Sequence, residues 1–127
     1  MGNFNDRDVA ASRRALERRQ SEAEWQQTVM VTLQLCGWWC FHIQPSVVRT
    51  NADGSRRYAT AVTPQGRGFP DLIAVRGPRL LLVECKTQRG VVSPEQRDWH
   101  QRLRLIPGVE VYVLRPSDAD VLKEIAA

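Results

Sequence analysis

The chain has 127 residues, 43% of them hydrophobic and 25% charged, with a net charge of +4. That length and balance fit one domain with a single core and exclude disordered, fibrous and repeat architectures. No apolar run approaches the ~20 residues that cross a bilayer. The polar start "MGNFNDRDVAASRRALERRQ" has no signal-peptide character, and three cysteines make no even disulfide set. A cytoplasmic protein with no membrane partner is therefore expected. Much of the basic excess is arginine, which grips phosphate with two donors at once; it is compatible with a polyanionic partner without identifying one.

In chain order, residues 7–20 are predicted to form a polar, arginine-rich helix with little apolar stripe. It reads either as a solvated extension or as a basic arm against a phosphate backbone or a second subunit. The domain proper is expected to run from 21 to 127, with 1–20 as the extension. Ser21 followed by Glu24 has capping-box spacing, after which Trp25, Val29, Leu33 and Cys36 fall on one helical stripe and Gly37 ends the helix. "WWCFHI", residues 38–43, is β-rich and reads as the first strand. Its two tryptophans are expected to pack in the core and the strand rather than to serve as stacking platforms for a ligand. Cys36, Cys40 and His42 lie close in sequence, but the spacing is wrong for a zinc knuckle and no second pair exists. The thiols are expected to act as small buried hydrophobes.

Residues 44–67 form an excursion with a turn signal at Asp53-Gly54 between two β-leaning pieces, and carry Arg49, Arg56, Arg57 and Arg67. These arginines are either contacts to a polyanionic partner or solvated side chains. "LIAVR" and "RLLLVE" then flank Gly77-Pro78 as a β-hairpin. "SPEQRDWHQRLRLI" is a second helix with Ser93 as N-cap, Pro94 in the first position and Gln96 completing the box; its expected core stripe is Trp99, Leu103 and Ile106. "VEVYVLRP" is the last strand and "SDADVLKEIAA" a closing helix. The order α-β-(excursion)-β-β-α-β-α gives an α/β fold, a small mixed sheet flanked by helices.

The hairpin carries the chemistry. If it is symmetric about Gly77-Pro78, Val75 meets Leu80 and Asp71 meets Glu84, on one face of the sheet. Lys86 joins them from two residues further on, while Cys85 points the other way. Two opposed carboxylates repel, and a hard divalent cation such as Mg²⁺ relieves that repulsion while keeping waters for a substrate. Lys86 alone would offset part of it, so a purely structural Asp-Glu-Lys cluster is the other reading.

"PD", a dozen residues, then "ECK" resembles the PD-(D/E)xK nuclease superfamily. "GFPDLIAV…LLVECKTQRGVVSPEQRDWHQRLRLIPGVEVYVLRP" is similar in particular to the VRR-NUC branch, with its Gly-x-Pro-Asp, its Glu-x-Lys and its Ser-x-x-Gln opening the next helix. The similarity runs from about residue 21 to 115. It implies a restriction-endonuclease-like core in α-β-β-β-α-β order and Mg²⁺- or Mn²⁺-dependent hydrolysis of DNA phosphodiesters. On that resemblance Asp71, Glu84 and the backbone carbonyl of Cys85 would hold the metal, and Lys86 would orient or deprotonate a water or stabilise charge on the phosphate. Gln96 would face the site, besides its possible capping role. For the upstream acid, Glu22 matches the family's Ser-Glu and lies on the helix face that Trp25 and Val29 define, whereas Glu24 is explained as a cap partner; Gln26 would assist from one turn on. Gly66 and Gly68 would let backbone approach a phosphate, or simply be loop glycines. Small members of this branch look like phage or bacterial proteins that cut branched DNA, such as a Holliday junction, as homodimers. A nicking or restriction-like enzyme for plain duplex, and a DNA-binding module without cleavage, are the alternatives.

Overall fold

Both helix starts that the sequence marks most clearly are capped as predicted. Ser21 caps the helix Glu22–Leu35 by accepting from the Glu24 backbone N–H at 3.2 Å, and Gly37, at φ 88°, turns the chain away beyond it. Ser93 caps Pro94–Arg104, with Pro94 in the first turn and a reciprocal box formed with Gln96. The computed structural model describes residues 5–43, 46–59 and 64–127, and within these all side chains except those of 18–19, 46–49, 56–59 and 64.

The helices are α1 (Asp6–Arg19), α2 (Glu22–Leu35), α3 (Pro94–Arg104) and α4 (Ala119–Ala126). The strands are β1 (Trp39–His42), β2 (Ser46–Thr50), β3 (Arg56–Ala59), β4 (Leu72–Arg76), β5 (Arg79–Cys85) and β6 (Val109–Leu114). The main sheet has the order β1-β4-β5-β6. Its first two pairings are antiparallel and the third is parallel, with α3 as the crossover that a parallel pair requires. β2 and β3 form a separate two-stranded sheet on either side of the Asp53-Gly54 turn. Of the 44–67 excursion, residues 44–45 and 60–63 lie outside the described residues.

Side-chain alternation gives the sheet two unlike faces. Leu72 and Ala74 of β4, Leu81, Val83 and Cys85 of β5, and Leu114 of β6 meet Trp25, Val29 and Leu33 of α2 and Leu122, Ile125 and Ala126 of α4 in one core. Each leucine, valine or isoleucine among them stabilises the fold by about 1.5–3 kcal/mol on burial, and truncating the fully buried Leu33 to alanine would cost about 2–5 kcal/mol. On the other face α3 packs beside β6 and leaves the β1 edge bare.

Three expectations need correcting, each for a reason of geometry. Cys36 is exposed, because α2 ends at Leu35 and Cys36 serves as its cap. Trp38 is 2% exposed but Trp39 is 85% exposed, with Phe41 at 62%, because alternate residues of β1 face the side that α3 does not reach. Along α3 the buried residue is His100, with Trp99 half-buried and Ile106 exposed.

The turn end of the β4–β5 hairpin is tied down by opposed arginines, Arg76 and Arg79. Their guanidinium carbons lie 4.7 and 4.9 Å from the centroid of the Trp38 ring. Arg76 donates to the carbonyls of Cys36, Ala126 and Ala127 at 2.7–2.9 Å. Arg79 donates to the Ile125 carbonyl at 3.0 Å and grips both oxygens of Glu110 at 2.9 and 2.8 Å. The last carbonyls of α4 thus receive cationic donors, which complement the negative end of a helix.

Candidate metal and active site

At the other end of the hairpin the register Leu72↔Val83 continues one residue beyond the strand and sets Asp71 against Glu84. The Ile43 N–H donates to the Asp71 carbonyl at 3.2 Å, so β1 also holds this point. The Asp71 carboxylate accepts from the Cys85 backbone N–H at 3.0 Å, which fixes the side chain across the strand gap.

Glu84 is 1% exposed. Its Oε1 accepts from Gln96 Nε2 at 2.7 Å and lies 3.7 Å from Lys86 Nζ. Its Oε2 is buried with no hydrogen-bond partner among the described residues. Burial, with the charge of Asp71 beside it and Lys86 only partly opposing, pushes the Glu84 carboxyl up to about 8. Glu22, in the first turn of α2, completes the group: one carboxylate oxygen from each of Glu22, Asp71 and Glu84 lies within 4.8 Å of the others. A buried acceptor with no donor, among three converging acids, has the donor set of a hard divalent cation, because buried carboxylates stay ionised only when paired or bound to metal.

Lys86, Gln96 and Glu22 therefore meet around Glu84, and the open choices narrow. Gln96 serves two purposes with one amide, its Oε1 accepting from the Ser93 backbone N–H at 2.8 Å while its Nε2 reaches Glu84. Glu24 stays outside the cluster, its carboxylate taking the Ser21 hydroxyl at 3.0 Å. The Cys85 side chain points into the core, where burial raises its thiol pKa.

The DNA-facing candidates are placed less closely. Arg67 is exposed on the loop before β4. Arg56 is opposed to Thr50, and Arg57 to Arg49, in the β2–β3 ladder, but their side chains lie outside the described ones. Gly68 has a reason to be glycine that involves no DNA. At φ 85°, a Cβ there would stand 2.5 Å from the Glu95 carbonyl carbon and 2.6 Å from the Gln96 nitrogen, inside the first turn of α3. The same loop is fastened to α3 by the Trp99 indole N–H, which donates to the Gln65 carbonyl at 2.8 Å, and by Phe69 edge-on to Trp99. A larger residue at 68 would push on the turn that presents Gln96.

His100 is the residue that sequence reasoning missed. It is 2% exposed, and its buried Nε2 has no hydrogen-bond partner among the described residues. Burial first, then Arg104 and Lys86, lower its pKa against an opposing pull from Asp71. Its spacing of four from Gln96 was the available signal, since both then occupy one face of α3.

A mixed sheet in this strand order, flanked by helices and carrying Asp71, Glu84 and Lys86 at the end of its central hairpin, is a small restriction-endonuclease-like core. The family model of the VRR-NUC domain matches residues 12–118, and the chain belongs to that family. Membership implies nuclease activity in general, with DNA as the substrate. No curated protein and no solved structure gives a significant match. Among the described residues no helix is long and apolar enough to cross a membrane.

Proposed function

We propose that the chain is a Mg²⁺- or Mn²⁺-dependent endodeoxyribonuclease acting on branched DNA, such as a four-way junction, as a homodimer in a bacterial or phage-infected cytoplasm. The observation that carries the metal reading is the orphaned Oε2 of Glu84 among three convergent carboxylates. Glu22, Asp71 and Glu84 would hold the ion, with the Cys85 backbone carbonyl as a further ligand. When bound, a divalent ion polarises the scissile phosphate and lowers the pKa of a water.

The other roles belong to the protein. Gln96 fixes the Glu84 carboxylate in one orientation through Nε2, leaving Oε2 free. Lys86, held beside Glu84, orients or deprotonates the attacking water, or sets its ammonium against the charge that grows on the phosphate oxygens. Arg49, Arg56, Arg57 and Arg67 would follow the DNA backbone, as would residues 66–68, and residues 1–20 would form a basic extension to a domain spanning 21–127. A two-fold homodimer suits a substrate with two equivalent scissile phosphates. A nicking or restriction-like activity on plain duplex is the enzymatic alternative. A binding module without cleavage is the other, and the presence of Asp71, Glu84 and Lys86 together counts against it.

The deciding experiment incubates supercoiled plasmid and labelled four-way-junction, flap, single-stranded and duplex DNA with the protein in Mg²⁺, Mn²⁺ or EDTA. Metal-dependent junction cutting is expected, lost with Lys86→Ala by about 10²–10³-fold while DNA binding persists. Tight, salt-sensitive binding with no product in either metal would leave only the binding module.

A further inference from the structure

Three parts of the chain outside the carboxylates converge on one oxygen. The Leu114 carbonyl, at the end of β6, accepts from the Lys86 backbone N–H at 3.0 Å and from the Trp25 indole N–H at 2.8 Å. Trp25 is 2% exposed and follows Glu22 by three residues, on the same side of α2. Lys86 follows Glu84 by two residues on β5 and its tail. One acceptor therefore joins the helix that carries Glu22 to the strand that carries Glu84. The next residue, Arg115, extends the tie by donating to the Thr87 carbonyl at 2.7 Å, which fastens the loop after Lys86.

The remaining anchors of α2, Val29 and Leu33, are apolar. Dispersion contacts hold two surfaces together but resist sliding weakly, whereas a hydrogen bond sets both distance and direction. Among the described residues the Trp25 bond is the one side-chain hydrogen bond between the first two turns of α2 and the sheet. We propose that Trp25 is a positioning residue for the metal centre, setting where Glu22 stands relative to Glu84 through the shared Leu114 carbonyl. This rests on reading the three carboxylates as a metal site.

Trp25→Phe removes the N–H and keeps an aromatic ring. Leu114 retains its bond from Lys86, so no backbone acceptor is orphaned; the smaller ring leaves a cavity in the core, and the melting temperature should fall by about 5–10 °C with the fold kept. Calorimetric titration of the metal-free protein with Mn²⁺ is the test, on wild type, Trp25→Phe, Glu22→Gln and the double variant. Trp25→Phe is expected to weaken Mn²⁺ binding by about 10-fold, and the double variant to bind no more weakly than Glu22→Gln alone. Wild-type affinity in Trp25→Phe, or losses that multiply in the double variant, would overturn the role of Trp25. No Mn²⁺ binding by wild type would instead remove the metal reading beneath it. Should Trp25→Phe not fold, the indole N–H resonances of the wild-type protein decide. On titration with Mg²⁺ the Trp25 signal is expected to shift while that of Trp38, bonded to Ala126 at the far end of the fold, stays; an unmoved Trp25 signal refutes the proposal.

Discussion

The β4–β5 hairpin sets like charges against each other at both ends, and the two ends treat them in opposite ways. At the turn, Arg76 faces Arg79, and every guanidinium is answered: by backbone carbonyls, by the Glu110 carboxylate and by the face of Trp38. At the open end, Asp71 faces Glu84, and the group is answered only in part by Lys86, Gln96 and one backbone N–H. A third acid, Glu22, is brought in rather than kept away. The turn end is an arrangement that stabilises itself. The open end lowers stability until something else arrives, and a fold retains such a cost most readily where a bound group repays it.

That contrast predicts substitutions of opposite character. The largest effect should follow Glu84→Gln, which removes one charge from the proposed metal site: DNA cleavage is expected to fall by at least about 10³-fold, or roughly 4 kcal/mol of barrier. Near-normal cleavage by this variant would erase the distinction between the two ends. The second effect concerns pH. The folded-state pKa of Glu84 is raised to about 8, above its unfolded value. Over the intervening range the unfolded chain releases that proton first, so the metal-free protein should lose stability as pH rises from about 5 to 8, by up to a few kcal/mol. Denaturant melts should show this slope in wild type, a flatter one in Glu84→Gln, and recovery at pH 8 on adding Mg²⁺; equal slopes in both proteins would contradict the origin assigned to it.

Next, Arg79→Met at the turn end should cost about 1–2 kcal/mol, because the Ile125 carbonyl and Glu110 lose donors, yet leave Mn²⁺ affinity unchanged. An affinity change there would mean the two ends are coupled. The smallest effect is expected for Trp39→Ser, within about 0.5 kcal/mol, since the side chain is 85% exposed. A larger loss that depends on protein concentration would indicate a second copy covering that face.

Much of this arrangement was legible in the sequence because it is local. Gly77-Pro78 determines which residues of β4 and β5 oppose, Ser93 and Gln96 mark the start of α3, and Ser21 does the same for α2. Glu22 could be preferred to Glu24 because a capping partner already had an occupation. What escaped depends on which sheet face a helix covers. Trp38 and Trp39 are adjacent and equally apolar, and only the placement of α4 against one side separates buried from bare. His100 escaped because an apolar stripe was sought where α3 turns polar residues inward, toward Glu84 and Lys86. The pairing of Arg76 and Arg79 with Trp38 and the end of α4 joins positions far apart in sequence, with no periodicity to announce it.

The two-residue connection at Gly77-Pro78 has a reach beyond its own surroundings. It lies six residues from Asp71, roughly 20 Å of extended chain, and touches none of the carboxylates. Yet strand parity is counted from it. A one-residue slip in the pairing that this turn sets would move either Asp71 or Glu84 to the opposite side of the sheet, scattering the three acids without altering any of them. In this chain the length of a distant turn is as much a component of the centre as the side chains that line it.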